Sequence, residues 1–294
     1  MLALVFDGKN AQVTKDYPTP QTGRDEALVA VRLAGVCRTD LEIVKGYMGF
    51  RGVMGHEFVG EVLEGPRRWK GKRVVGEINC VCGQCDLCKR GLSNHCRYRS
   101  VVGIAARDGV FAERVALPVA NLHEVPPGLT DQEAVFTEPL AAAFQITRQI
   151  KFDRRDHVVV LGDGRLGQLV ARALKPLLDH CRMVGKHPRK LEAAEKQGIE
   201  TLRVEEYVPA AKADVVVDAT GSASGFELAM RAVRPRGTIV LKSTFAATAG
   251  MNLAPLVINE VTVVGSRCGP FGEALDALEA AGSPESIKVL IRVK

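Results

Sequence analysis

Residues 157–174 read HVVVLGDGRLGQLVARAL. The run VVVL is a buried strand, GDGRLG is a turn, and the stretch after it carries the spacing of an amphipathic helix. Gly162, Gly164 and Gly167 stand in the pattern GxGxxG. Glycines at that spacing are a weak signal alone. Directly after an apolar strand and opening a helix, they form a dinucleotide-binding fingerprint. The first glycine makes the tight turn, the second lets backbone approach a pyrophosphate, and the third lets helix pack on strand. Backbone N–H groups at the helix start, Arg165 and Leu166 among them, meet the phosphates.

Moving outward, the next strand is HCRMVGK, residues 180–186. Its end is where an Asp or Glu reads the ribose 2′-hydroxyl of NAD. This chain has Gly185, Lys186 and His187 there, with Arg189 and Lys190 just beyond. A carboxylate would repel a 2′-phosphate, whereas glycine makes room and the bases attract it. NADP is therefore expected, with NAD as the second choice. The plain alternative is a solvated basic helix start. Three further strand signals follow, ADVVVDATG (with Thr220 near its end), GTIVLKST and EVTVVGS, separated by helical stretches such as SGFELAMRAV. Alternating strands and helices imply an α/β Rossmann domain, a doubly wound parallel sheet, over residues 151–269. GPFGEALDALEAAG then reads as a helix leaving that domain.

Residues 1–60 read as short strands. Within them, residues 35–57 read GVCRTDLEIVKGYMGFRGVMGHE. Cys37, His56 and Glu57 offer a thiolate, an imidazole and a carboxylate, the ligand types zinc prefers. Both groups fall at strand ends, where loops carry chemistry on a rigid scaffold. A lone cysteine or histidine is usually a core or surface residue, so the weight rests on the joint pattern. Residues 80–96 read CVCGQCDLCKRGLSNHC, with Cys82, Cys85, Cys88 and Cys96 spaced by two, two and seven residues. Four thiolates on one compact loop suit a closed structural zinc site. An iron–sulfur cluster of the bacterial ferredoxin type would place the fourth cysteine after three residues, followed by proline. Cys80 falls outside the pattern. Beyond the prolines at 126 and 127, Thr130 to Glu133 form a capping box that starts a helix. In the TEPL that follows, Glu138 suits a helix first turn.

The 294 residues are 46% hydrophobic and 25% charged, enough apolar material for about two domains. No stretch approaches the roughly 18 apolar residues of a membrane span. The start turns acidic at Asp7, too soon for a secretory segment. The cytoplasm is expected, where the eight cysteines serve as ligands rather than disulfides. The net charge of +6 comes without any block of five or more Lys/Arg, so no nucleic-acid partner is expected.

The pattern GxCxTD, followed about twenty residues later by GHE, resembles the zinc-dependent medium-chain alcohol dehydrogenases, and the resemblance continues through the four-cysteine lobe and the glycine turn. It implies a mostly β GroES-like catalytic domain over 1–150 and 270–294, with the Rossmann domain between. It implies that Cys37 and His56 hold a catalytic zinc with Glu57 or Glu138 as the carboxylate ligand. In the polyol, threonine and glucose dehydrogenase branches an EPL motif puts a carboxylate at or near the metal. Thr39 would relay the substrate proton, and Asp40 would support the ligand histidine, as a ligating imidazole requires of its other ring nitrogen. The four-cysteine lobe would hold a second, non-catalytic zinc. The implied activity is reversible oxidation of a secondary alcohol, sugar or polyol by NADP, in a homodimer or homotetramer. Two rivals are a zinc-free NADPH-dependent quinone or enone reductase and a non-catalytic binding protein built on the zinc lobe. The chain departs from the family after residue 282, where relatives usually carry about thirty more residues before a final strand like IKVLIRV.

Overall fold

The computed structural model describes residues 1–243, 251–281 and 290–292. Two compact units emerge, Met1–Ala141 with Pro270–Lys294, and Ala142–Gly269. The division falls inside the helix Thr137–Gln149. Ala143 and Ile146 in that helix's second half are buried in the core of the second unit.

The second unit is a six-stranded parallel sheet. Its order is Glu200–Arg203, His180–Gly185, His157–Leu161, Ala213–Asp218, Val233–Leu241 and Thr262–Gly265. Numbered within the unit, that is 3-2-1-4-5-6, the doubly wound order whose reversal lies between strands one and four. Alternation along the strands explains the layers. Val158, Val160, Val215 and Val217 point to one face, with Leu174 and Leu191 of the helices Arg165–Leu174 and Pro188–Glu195. Val159, Leu161, Val216 and Ile239 point to the other, against Phe226 and Ala229 of the helix Ala223–Ala232. Strands covered on both faces must be apolar at every position, which is why VVVL and VVV read as unbroken runs.

In the first unit a six-stranded sheet is organised around the strand Glu26–Gly35. It pairs antiparallel with Glu57–Glu64 along most of its length and with Arg114–Pro118 at its start. Leu290–Arg292 joins it at its end. Of the C-terminal residues 283–294 only these three belong to the described set, and Thr244 of the strand signal GTIVLKST lies outside it as well. A three-stranded sheet is built from Ala3–Phe6, Ala11–Thr14 and Gly52–Val53. Beyond Pro126 and Pro127, Thr130 caps the short helix Asp131–Ala134. Its hydroxyl accepts the Glu133 N–H, and Glu133 accepts the Thr130 N–H at 2.7 Å. Among the described residues no helix is long and apolar enough to cross a membrane.

Candidate active site

The pairing of Glu26–Gly35 with Glu57–Glu64 sets Gly35 opposite Glu57. Cys37 lies two residues past the end of one strand and His56 one residue before the start of the other, so both arrive at the same edge. One donor atom each from Cys37, His56 and Glu57 lies within 4.8 Å of the others. His56 and Glu57 are 3% and 1% exposed, so a charge there is held out of water and calls for a counter-charge.

Asp40 ties this group together. It sits in the first turn of the helix Arg38–Val44, where Oδ2 accepts the Cys37 N–H at 2.7 Å. Its Oδ1 lies 3.2 Å from His56 Nδ1, and both side chains are buried. With Nδ1 facing the Asp40 carboxylate, Nε2 would be the nitrogen left to ligate a metal. Burial works against a charged imidazole, yet the Asp40 carboxylate and the Cys37 sulfur raise the His56 pKa well above its ordinary value. The cluster is thus an electrostatic trap for positive charge, and a dication shared by the three donors would take that proton's place. Thr39 is half-buried, with Oγ1 3.8 Å from Cys37 Sγ. Glu138 is half-buried in the first turn of Thr137–Gln149 and is not one of the three clustered donors.

The second cysteine set is an excursion between two short strands, Asn79–Cys80 and Ser100–Val101, whose antiparallel pairing pins its ends together. Within it Cys85 and Cys88 sulfurs are 3.5 Å apart, Cys85 and Cys96 3.8 Å, and Cys82 and Cys96 3.5 Å. Sulfurs at the corners of a tetrahedron around zinc, each about 2.3 Å from the metal, stand about 3.8 Å apart, so the donor set fits. The N–H groups of Cys88 and Arg97 point at the Cys85 sulfur and bring its pKa down to about 6. Burial, with the neighbouring thiols, pushes Cys88 up to about 12. Several thiolates cannot share so small a space without a cation, and one dication removes the conflict. Arg97 braces the lobe with a two-pronged pair to Asp86, at 3.0 and 3.1 Å. Cys80 stays outside the cluster, buried beside the Asn121 amide.

At the nucleotide turn, Gly162 has φ +105°, which a side chain would resist. A Cβ on Gly167 would run into the Gly162 carbonyl oxygen, whereas one on Gly164 would meet nothing within 4 Å among the described residues. The turn is therefore closed on its strand side and open at Gly164, where a pyrophosphate would approach. Thr220 lies just past Ala213–Asp218, its hydroxyl 2.7 Å from Asp218. At the end of His180–Gly185 the structure corrects one expectation. The space beside Gly185 is filled by Asp163, the acid inside the glycine turn, so the glycine does not leave room there. Asp163 accepts the Lys186 and His187 N–H groups at 2.8 and 2.6 Å, and the His187 ring at 3.0 Å. The available signal was an acid inside a turn built to face phosphate. Lys186, Arg189 and Lys190 are exposed.

Removing the Asp40 carboxylate should orphan the Cys37 N–H and release the His56 ring together. Asp40→Ala should weaken metal binding at Cys37, His56 and Glu57 by about ten- to a hundredfold, with Asp40→Asn recovering part of the loss. Competition with a chromogenic chelator reads this. Unchanged affinity in Asp40→Ala would show that the brace is dispensable.

Residues 23–127 match the family described as alcohol dehydrogenase GroES-like domain, and residues 167–282 the family described as zinc-binding dehydrogenase. The sorbitol dehydrogenase of Halalkalibacterium halodurans is 29% identical over 273 residues, covering 86% of this chain and 79% of its own. A zinc-binding dehydrogenase of Sinorhizobium meliloti 1021, solved bound to NADP, is 25% identical with a TM-score of 0.88, and each chain covers 99% of the other. An alcohol dehydrogenase of Escherichia coli CFT073, solved with NADH, is 25% identical with a TM-score of 0.85, covering 95% of this chain and 88% of its own. With both of its compact units matched and the Cys, His and Glu donors gathered at one strand edge, the chain belongs to the zinc-dependent medium-chain alcohol dehydrogenases.

Proposed function

We propose that this enzyme oxidises a secondary alcohol of the polyol or sugar class, reversibly, with NADP as hydride acceptor. The observation that carries the reading is the convergence of Cys37, His56 and Glu57 within 4.8 Å, with Asp40 behind them, in a chain that also has an open glycine turn. Zinc held there would supply Lewis acidity to the substrate oxygen, and the nicotinamide would take the hydride. Asp40 keeps the His56 ring in one orientation. The Thr39 hydroxyl, beside Cys37 Sγ, takes the substrate's proton and passes it outward. Glu138, outside the three clustered donors, would be the alternative carboxylate for that zinc. Lys186, Arg189 and the outer edge of His187 attract the adenosine 2′-phosphate. The polyol class rests on relatives such as the sorbitol dehydrogenase.

Metal analysis tests the first part. The protein should hold about two zinc ions per chain, one at the Cys37 group and one in the four-cysteine lobe. Cys85→Ser should lose one of them and lower the melting temperature, because structural zinc contributes folding free energy directly. Retention of both ions and the parent Tm in that variant would sink the lobe assignment. A protein with no zinc at the Cys37 group would favour the zinc-free reductase reading.

A panel of polyols, sugars and amino alcohols, assayed with both cofactors, tests the activity. One charge-assisted hydrogen bond contributes roughly 1.5–3 kcal/mol, so NADP should exceed NAD by at least about tenfold in kcat/KM. Lys186→Ala should weaken NADP and leave NAD nearly untouched. A wild-type preference for NAD would mean that the bases at 186–190 are only a solvated helix start.

The assembly is a homo-oligomer with at least a two-fold pair. Among the described residues Thr262–Gly265 is the outer strand of the parallel sheet, with no strand paired along its far side. Val257 and Ile258, in the helix before it, are 79% and 77% exposed. A second copy of the same edge would cover both, since isologous pairing buries the same patch twice. Sedimentation velocity at micromolar concentration should give a dimer or tetramer, and a monomer would count against this assembly.

A further inference from the structure

The side chain of Asp163 occupies the position from which an acid at residue 185 would have to project. The two residues lie on adjacent parallel strand ends, Asp163 in the turn after His157–Leu161 and Gly185 at the end of His180–Gly185. A Cβ on Gly185 would fall 2.5 Å from Asp163 Cβ, 2.7 Å from its Oδ2 and 2.8 Å from its Cγ. Real side chains do not approach so closely, and the obstacle is no flexible tip. It is a short side chain, 7% exposed, held by three donors.

Those donors also define what Asp163 does. Its Oδ2 accepts the N–H groups of Lys186 and His187, and both carboxylate oxygens lie 3.0 Å from His187 Nδ1. Burial works against its charge. The His187 N–H and ring and the Lys186 N–H nevertheless hold its pKa below the usual carboxylate value. The carboxylate thus remains ionised but turned inward, its oxygens engaged by the protein's own donors. The turn that follows presents the side chains of Lys186, Arg189 and Lys190 to solvent.

We propose that Asp163 and residue 185 are a mutually exclusive pair that sets cofactor preference. While Asp163 braces the turn, no acid can stand at the end of the second strand to accept the ribose hydroxyls of NAD, and only positive side chains face the adenosine. Asp163 is a positioning residue, acting on the cofactor through the turn it holds. The direction of preference rests on the NADP reading above. The exclusion itself rests on the contact between residues 163 and 185.

Three variants of the full-length, zinc-loaded protein separate the two: Gly185→Asp, Asp163→Gly, and both together. Equilibrium binding of NADPH and NADH is followed by nicotinamide fluorescence, with the melting temperature measured in parallel. Gly185→Asp alone should lose Tm and bind both cofactors at least about tenfold more weakly, because two carboxylates are forced together and the brace is displaced. Asp163→Gly should loosen the turn and weaken NADPH more than NADH. The double variant should regain Tm relative to Gly185→Asp and bind NADH at least about tenfold more tightly than that single variant, with NADH now preferred. Gly185→Asp that keeps the parent Tm and binds NADH as well as the double variant does would overturn the exclusion. So would a double variant that recovers neither Tm nor NADH binding. Wild-type protein that prefers NADH would overturn the NADP reading alone, since the comparison of single with double variant does not depend on which cofactor the parent prefers.

Discussion

The antiparallel register that sets Gly35 against Glu57 is the constraint on which the catalytic unit depends. Side chains alternate along a strand, so a slip of one residue would turn Glu57 to the opposite face and move His56 away from Cys37. The opposite edge of the central strand is paired near both of its ends. Arg114–Pro118 pairs with the start of the central strand, and Leu290–Arg292 pairs with its end at Gly35. The last described residues of the chain therefore lie beside the strand end that carries the candidate metal donors. A functional edge with backbone neighbours on both sides is rigid in a way that a free loop is not.

Electrostatic frustration recurs at each of the three sites, and each is resolved differently. At Cys37, His56 and Glu57, anionic groups are buried with Asp40 behind them, which favours positive charge at the centre. In the four-cysteine lobe, backbone N–H groups stabilise one thiolate while burial resists another, and the sulfurs already stand near tetrahedral separations. At the nucleotide turn a buried carboxylate is satisfied inside the protein by two N–H groups and an imidazole. The first two sites gather thiol, imidazole and carboxylate groups, a set that a dication would satisfy. The third needs none, because its partners are donors.

The local patterns were legible in the residue order. Alternating strand and helix signals announced a parallel, doubly wound sheet, and the glycine spacing announced a nucleotide-binding turn. The two-two-seven cysteine spacing announced a closed lobe, and Thr130 with Glu133 announced a helix start. Each depends on steric or hydrogen-bonding rules that act within a few residues, so each survives without knowledge of the fold. The grouping of Cys37, His56 and Glu57 was legible only through the resemblance that GxCxTD and GHE carry, because their meeting depends on the pairing of two strands.

What depended on which strands lie side by side was not legible. Gly185 looked like an opening, yet its neighbour 22 positions back in sequence fills the space across the strand pair His157–Leu161 and His180–Gly185. Glu138, a carboxylate in a family motif, sits in a helix first turn outside the three clustered donors. The division between the compact units falls within a helix, because the two halves of Thr137–Gln149 belong to different cores. By itself the sequence determined the kinds of element, the donor types and the glycine turn, all governed by short-range geometry. Only the tertiary structure decided which side chain occupies the space next to Gly185 and which carboxylate stands beside Cys37 and His56, because those are contacts between residues that chain order leaves apart.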